Sequence, residues 1–254
     1  MPTNPLGPTG LLAQSMTLPA GSQSMAMGGM GLRAQGMDGR KKGAGFQFST
    51  SVAYVNSGNG AFSGSTFVFT ATSTQEGDWM VIVADGVDAT SVTGGSGVSW
   101  TKLTLTNVGA FVTTVFYRRL EAADAGASFT INGGITTGPA EWAAYRGVAS
   151  VGSPQTQVTL ASAPTIAFTA PTLTNRSSRL LAILSAHTNP PPSGTWSAPA
   201  IWSARVSWNA YGPKFLGDTS SSTYQQAGAG PITFTMPATQ AAGQVGWLFE
   251  LVGT

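Results

Sequence analysis

Four landmarks recur in the same order in the two halves of this chain, and the repeat limits the fold more than any single motif does. Phe69-Thr70-Ala71 is matched by Phe168-Thr169-Ala170, and the apolar run 79–84 by 180–186. Gly97-Val98-Ser99-Trp100 is matched by Gly194-Thr195-Trp196. Finally, Ser128-Phe129-Thr130 leads to Glu141-Trp142, as Thr233-Phe234-Thr235 leads to Trp247-Leu248. Phe129 to Trp142 spans thirteen positions, and so does Phe234 to Trp247. A set of landmarks repeated at this spacing predicts two copies of one supersecondary unit, with Trp142 and Trp247 in matching buried positions.

Composition says what the unit is made of. Charged residues are 9% of the 254, glycine numbers 33, and Ser, Thr and Ala are abundant while helix-forming Glu and Lys are scarce. That balance predicts an all-β protein. Apolar residues alternate from Phe46 and Phe48 onward, with turn chemistry at Gln75-Glu76-Gly77-Asp78. Turns every eight to twelve residues then predict a β-sandwich or jelly roll, internally duplicated. The run 79–84 lacks alternation, as in a strand covered on both faces. A helix has one candidate, residues 119–125, which is short and stopped by Gly126.

The expected organisation is an extended arm over residues 1–45, a first β module over 46–148, a connector over 149–165 and a second module over 166–254. The arm holds Pro2, Pro5, Pro8 and Pro19 and six of the eight methionines. A solubilising linker would use Ser, Glu and Lys, whereas Met16, Met25, Met27 and Met30 are adaptable apolar gap-fillers. With Arg40, Lys41 and Lys42 they read as an anchor lying across a neighbouring subunit. The twelve basic and ten acidic side chains nearly balance, and Arg33, Arg40, Lys41 and Lys42 all lie in the arm. The remainder has no basic face wide enough for a phosphate track, so nucleic acid is not an expected partner. The start of the chain reads as lacking a signal peptide, and no apolar run approaches a membrane helix.

Catalytic and metal chemistry find little purchase. The chain has no cysteine, which excludes disulfides and Cys-ligated zinc. His187 is the one histidine, placed in a Pro-rich loop without a nucleophile elbow. Paired acids such as Glu76/Asp78 and Glu121/Asp124 sit at predicted strand ends, and Glu141 and Arg146 read as edge or interface contacts. Asp85-Gly86-Val87-Asp88 could offer oxygens to calcium but lacks EF-hand spacing. The expectation is no enzyme, no cofactor and no catalytic or metal residue. Trp196, Trp202, Trp208 and Tyr211, in a Pro/Gly-rich excursion over 187–214, are the functionally suggestive group: aromatic faces can stack on sugars or fill an interface, and the same spacing can equally fill core.

The order Gly77-Asp78, then 97–100, Phe116-Tyr117-Arg118, residues 125–130, and Ala140-Glu141-Trp142-Ala143-Ala144-Tyr145-Arg146-Gly147-Val148 is similar to a β module of tailed-bacteriophage structural proteins and some bacterial surface proteins. A degenerate copy covers about 167–252, where Glu250-Leu251-Val252 replaces Tyr145-Arg146-Gly147. The resemblance implies a non-enzymatic virion component made in the host cytoplasm, of capsid-decoration, head-fibre or tail type. Its partners would be other virion proteins and copies of itself. The alternative is a host-adhesion module that binds a surface glycan through the 187–214 excursion.

Overall fold

A computed structural model describes residues 51–86, 88–106, 112–133, 138–160, 164–187, 194–209, 212–237 and 243–254. The arm residues Met16, Met25, Met27, Met30, Arg40, Lys41 and Lys42 lie outside them, as does Tyr211.

The described chain is all-β. In order run β1 (Ala53–Ala61), β2 (Thr66–Thr70), β3 (Trp79–Asp85), β4 (Ala89–Gly94), β5 (Thr101–Thr106) and β6 (Val112–Arg119). After a 3-10 turn at Ala122–Asp124 come β7 (Ser128–Gly133), β8 (Pro139–Arg146), β9 (Val148–Val151) and β10 (Gln155–Leu160). Then follow β11 (Thr165–Phe168), β12 (Arg179–His187), β13 (Ser203–Asn209), β14 (Pro213–Ser220), α1 (Ser221–Gln226), β15 (Ile232–Thr235) and β16 (Gly243–Gly253).

Two large antiparallel sheets share one strand order. The first runs β1-β8-β3-β6-β5 and the second β10-β16-β12-β14-β13. Each is faced by a small sheet: β2-β7-β4 in the first half and β11-β15 in the second. Each half is therefore sandwich-like. Residues 149–165 are not a connector: β9 and β10 both pair with β16, and β10 holds the edge place that β1 holds in the first sheet.

Three cores follow from strand periodicity. Phe67, Phe69, Phe129 and Ile131 of the first small sheet meet Met80, Ile82, Phe116 and Trp142 of the first large one. Ile166, Phe168, Ile232 and Phe234 meet Leu180, Leu184, Phe215 and Leu248 in the second half. The alternate residues of the two large sheets meet each other: Val81, Val83, Val115 and Tyr145 against Leu181, Ile183, Leu216, Trp247 and Phe249. The large sheets thus pack back to back, with the small sheets outermost. Both faces of β3 are covered, which is why its sequence is apolar without alternation.

Two expectations need correcting. Trp142 and Trp247 are both buried, 5% and 1% exposed, but they face opposite ways: Trp142 stacks on Phe69 inside its own sandwich, while Trp247 lies between the sandwiches. Phe129 and Phe234 both face their own cores, yet thirteen positions on, the two tryptophans take opposite faces, the outcome of a one-residue change of strand register. Helix also occurs outside residues 119–125. Ser220 Oγ accepts from Thr223 N at 3.2 Å and starts α1 directly after β14, the place where the 3-10 turn follows β6.

Candidate functional site

Two tryptophans of the aromatic excursion are core. Trp196 is 5% and Trp202 8% exposed, both in the core of the second sandwich. Trp196 Nε1 donates to Pro213 O at 3.0 Å, and Trp202 stands edge-on to Phe234 with centroids 5.1 Å apart. Trp208 is partly buried against the layer between the sandwiches. Neither Trp196 nor Trp202 offers an open ring face to a ligand. The contacts also revise the repeat. Trp202 directly precedes β13 and meets Phe234, as Trp100 directly precedes β5 and meets Phe129 at 5.7 Å. Trp202, not Trp196, is the counterpart of Trp100.

The motif residues behind the family resemblance bind one another. Arg146 donates from Nε and Nη2 to the two oxygens of Asp78, both at 2.8 Å. Arg118 pairs with Asp124 at 2.7 Å and lies over the Trp100 ring at 4.6 Å. Asp124 also accepts from Ser96 N and Glu121 N. Burial pushes its carboxyl up, but those hydrogen bonds and the Arg118 charge bring it below the ordinary value. Gly95, at φ +58°, passes so close to Asp124 that a Cβ would collide with the carboxylate.

Across the inter-sandwich layer, Asp218 is the polar hub. It accepts from Arg179, from Arg205 Nε at 2.6 Å and Nη2 at 3.0 Å, and from Tyr145 OH at 3.0 Å. Arg205 also lies over the Tyr54 ring at 4.1 Å, and its carbonyl accepts from Ser57 Oγ. Burial, then the Asp218 charge, pushes the Tyr145 hydroxyl well above its ordinary range. The hub ties β8 and β1 of one sandwich to β14, β12 and β13 of the other.

Asp85 and Asp88 do not converge on a calcium site. Asp88 is exposed and pairs with Lys102 at 2.8 Å, whereas Asp85 is 1% exposed and turns inward. Among the described residues no group of three or more His, Cys, Asp or Glu side chains could hold a metal ion. Of His187 the structure gives the backbone place, the end of β12.

The unusual chemistry lies at one end of this layer. Asp85 (β3), Glu141 (β8) and Lys214 (β14) are each buried, and none was read from the sequence as a cluster. Glu141 is not the edge contact expected of it. Register explains the convergence: Glu141 pairs with Val83 of β3, two residues before Asp85 on the same face, and Lys214 shares its face with Leu216 of the inter-sandwich core. Lys214 Nζ donates to Ser185 Oγ and to Ala186 O, both at 2.8 Å, and stands 4.0 Å from Asp85 Oδ2. All four carboxylate oxygens of Asp85 and Glu141 lack a hydrogen bond among the described residues. Burial pushes Glu141 well above the ordinary glutamate value and the Asp85 charge pushes the same way, against Lys214 and the facing Trp208 indole. Trp208 Nε1 closes no well-formed hydrogen bond there. Burial pushes Lys214 below the ordinary lysine value, against the two carboxylates.

An open groove of about 250 Å³ lies on the first sandwich between β4 and β5, lined by Thr90, Val92, Val98, Trp100, Lys102 and Phe116 among others. Comparison with protein-family models, curated proteins and solved structures finds no match to this chain. No helix among the described residues is long and apolar enough to cross a membrane.

Proposed function

We propose that the chain is a non-enzymatic structural component of a tailed-bacteriophage particle, displayed on its surface and anchored through residues 1–45. The observation that carries this reading is the fate of the motif residues on which the resemblance rests. Asp78 with Arg146, and Arg118 with Trp100, are spent on each other as framework, and Asp124, just outside the motif, holds Arg118 in place. A module whose signature residues close its own fold suits display and assembly better than turnover of a substrate. The matching strand orders of the two large sheets support a tandem duplication of that module. The adhesion alternative relied on ring faces in the 187–214 excursion, and Trp196 and Trp202 have none to offer.

Particle sedimentation tests the proposal. Particles purified from lysed host cells should carry the full-length chain at fixed stoichiometry. A chain lacking residues 1–45 should stay in the supernatant while unfolding cooperatively. A full-length chain that remains free of particles contradicts the proposal; a truncated chain that still sediments contradicts the role of the arm.

A further inference from the structure

The geometry points to an intramolecular isopeptide bond between Lys214 Nζ and the side-chain carboxyl of Asp85, formed autocatalytically with Glu141 as proton carrier, which ties β3 of the first sandwich to β14 of the second. This inference stands apart from the virion reading.

Three observations carry it. The first is reach: Nζ stands 4.0 Å from Asp85 Oδ2 on the facing sheet, and the Cγ it must approach to about 3–3.5 Å is one bond from that oxygen. The second is direction. Ser185 Oγ and Ala186 O take two of the three hydrogens of the ammonium, which leaves one tetrahedral position of the nitrogen for the nearby carboxyl. The third is that the acceptor is otherwise idle. Asp78, Asp88, Asp124, Asp218 and Glu250 all accept hydrogen bonds from the chain's own donors, whereas Asp85 and Glu141 are buried with none. Leaving buried carboxylates bare is costly, and an amide would remove both the charge of Asp85 and that of Lys214.

The environment favours the reactive forms. Burial holds Lys214 towards the neutral amine, whose lone pair is the nucleophile. It holds Glu141 towards the acid, able to donate to the carbonyl oxygen on which negative charge grows. The Nζ–Cγ bond forms, giving a tetrahedral centre, and one Cγ–O bond of Asp85 then breaks. Counted from the ammonium and the carboxylate, two protons leave Nζ and depart with that oxygen as water; Glu141 carries them and ends as it began. No oxidant, reductant or cofactor is required. In a chain without cysteine such a link does what a disulfide would do, closing a long loop across the two sandwiches.

Denaturing mass spectrometry of the purified full-length chain tests this. The expected mass is one water below that of the sequence, and proteolysis should release a branched peptide joining the segments of Lys214 and Asp85. Glu141→Gln, which keeps shape and removes the acid, and Asp85→Ala should each restore the full mass. A wild-type chain at full mass overturns the inference. So does a water loss that maps to a cyclic imide at Asp85-Gly86 without a branched peptide, and both of these outcomes are read on the wild-type chain without any variant having to fold.

Discussion

The two sandwiches use one strand order and close their open ends differently. In the first, β4 adds a third strand to the small sheet, and Trp100 stays partly covered beside the groove between β4 and β5. In the second, no strand among the described residues takes the place of β4; a single bridge, Ser197 to Thr235, stands there, and Trp196 and Trp202 fill the space from inside. A strand and a pair of indoles are thus interchangeable closures for the same sheet. An aromatic cluster on a long excursion is as readily a plug as a binding platform.

The second contrast is between Trp142 and Trp247, and truncation should enlarge it. Trp247 touches both large sheets, so Trp247→Ala should cost about 5 kcal/mol, the upper end for a buried indole. Trp142→Ala, confined to one sandwich, should cost about 3 kcal/mol. Chemical denaturation measures both, and equal losses would remove the distinction between the two faces. For the closures, Trp202→Ala should cost about 3 kcal/mol and Trp100→Ala about 1 kcal/mol, because Trp100 keeps part of its surface in water. A larger loss at Trp100 would mean that the groove side is the better packed.

Gly246→Ala probes the slip itself. A Cβ there would meet Phe168 at 2.9 Å and Leu184 at 3.0 Å, so overpacking should cost about 2 kcal/mol. No loss would show that β16 can shift back and bring its copy into register with β8.

The smallest effect is a slope. Glu141 is raised above its ordinary 4.5 in the folded chain, so between the two values the folded state holds a proton that the unfolded state has released. Its contribution is full below pH 4.5 and is lost as pH rises towards the folded value. Glu141→Gln should flatten that decline, as read from melting temperature against pH; a uniform drop in stability leaves the slope untouched. An unchanged slope would place the Glu141 carboxylate in water.

Much of this was legible in the sequence and some could not be. The all-β composition and the unalternating run at β3 each report local chemistry along the strand, and each has its structural counterpart. Trp247 faces the other way from Trp142 although the Phe-to-Trp spacing is equal, because spacing in sequence does not fix which face a strand residue takes after a turn. Helix α1 is built from Ser-Ser-Thr-Tyr-Gln-Gln, a composition that reads as loop until the Ser220 cap is seen. Asp85, Glu141 and Lys214 lie far apart in the chain and meet only because the large sheets pack back to back. The one available signal was an acid or lysine inside otherwise apolar strands, Glu141 beside Trp142 above all.

That packing is the central claim, and calorimetry of the full-length chain tests it most directly. If the two large sheets share one core, residues 51–254 unfold in a single transition whose calorimetric and van 't Hoff enthalpies agree. Two resolved transitions, one per sandwich, would contradict it.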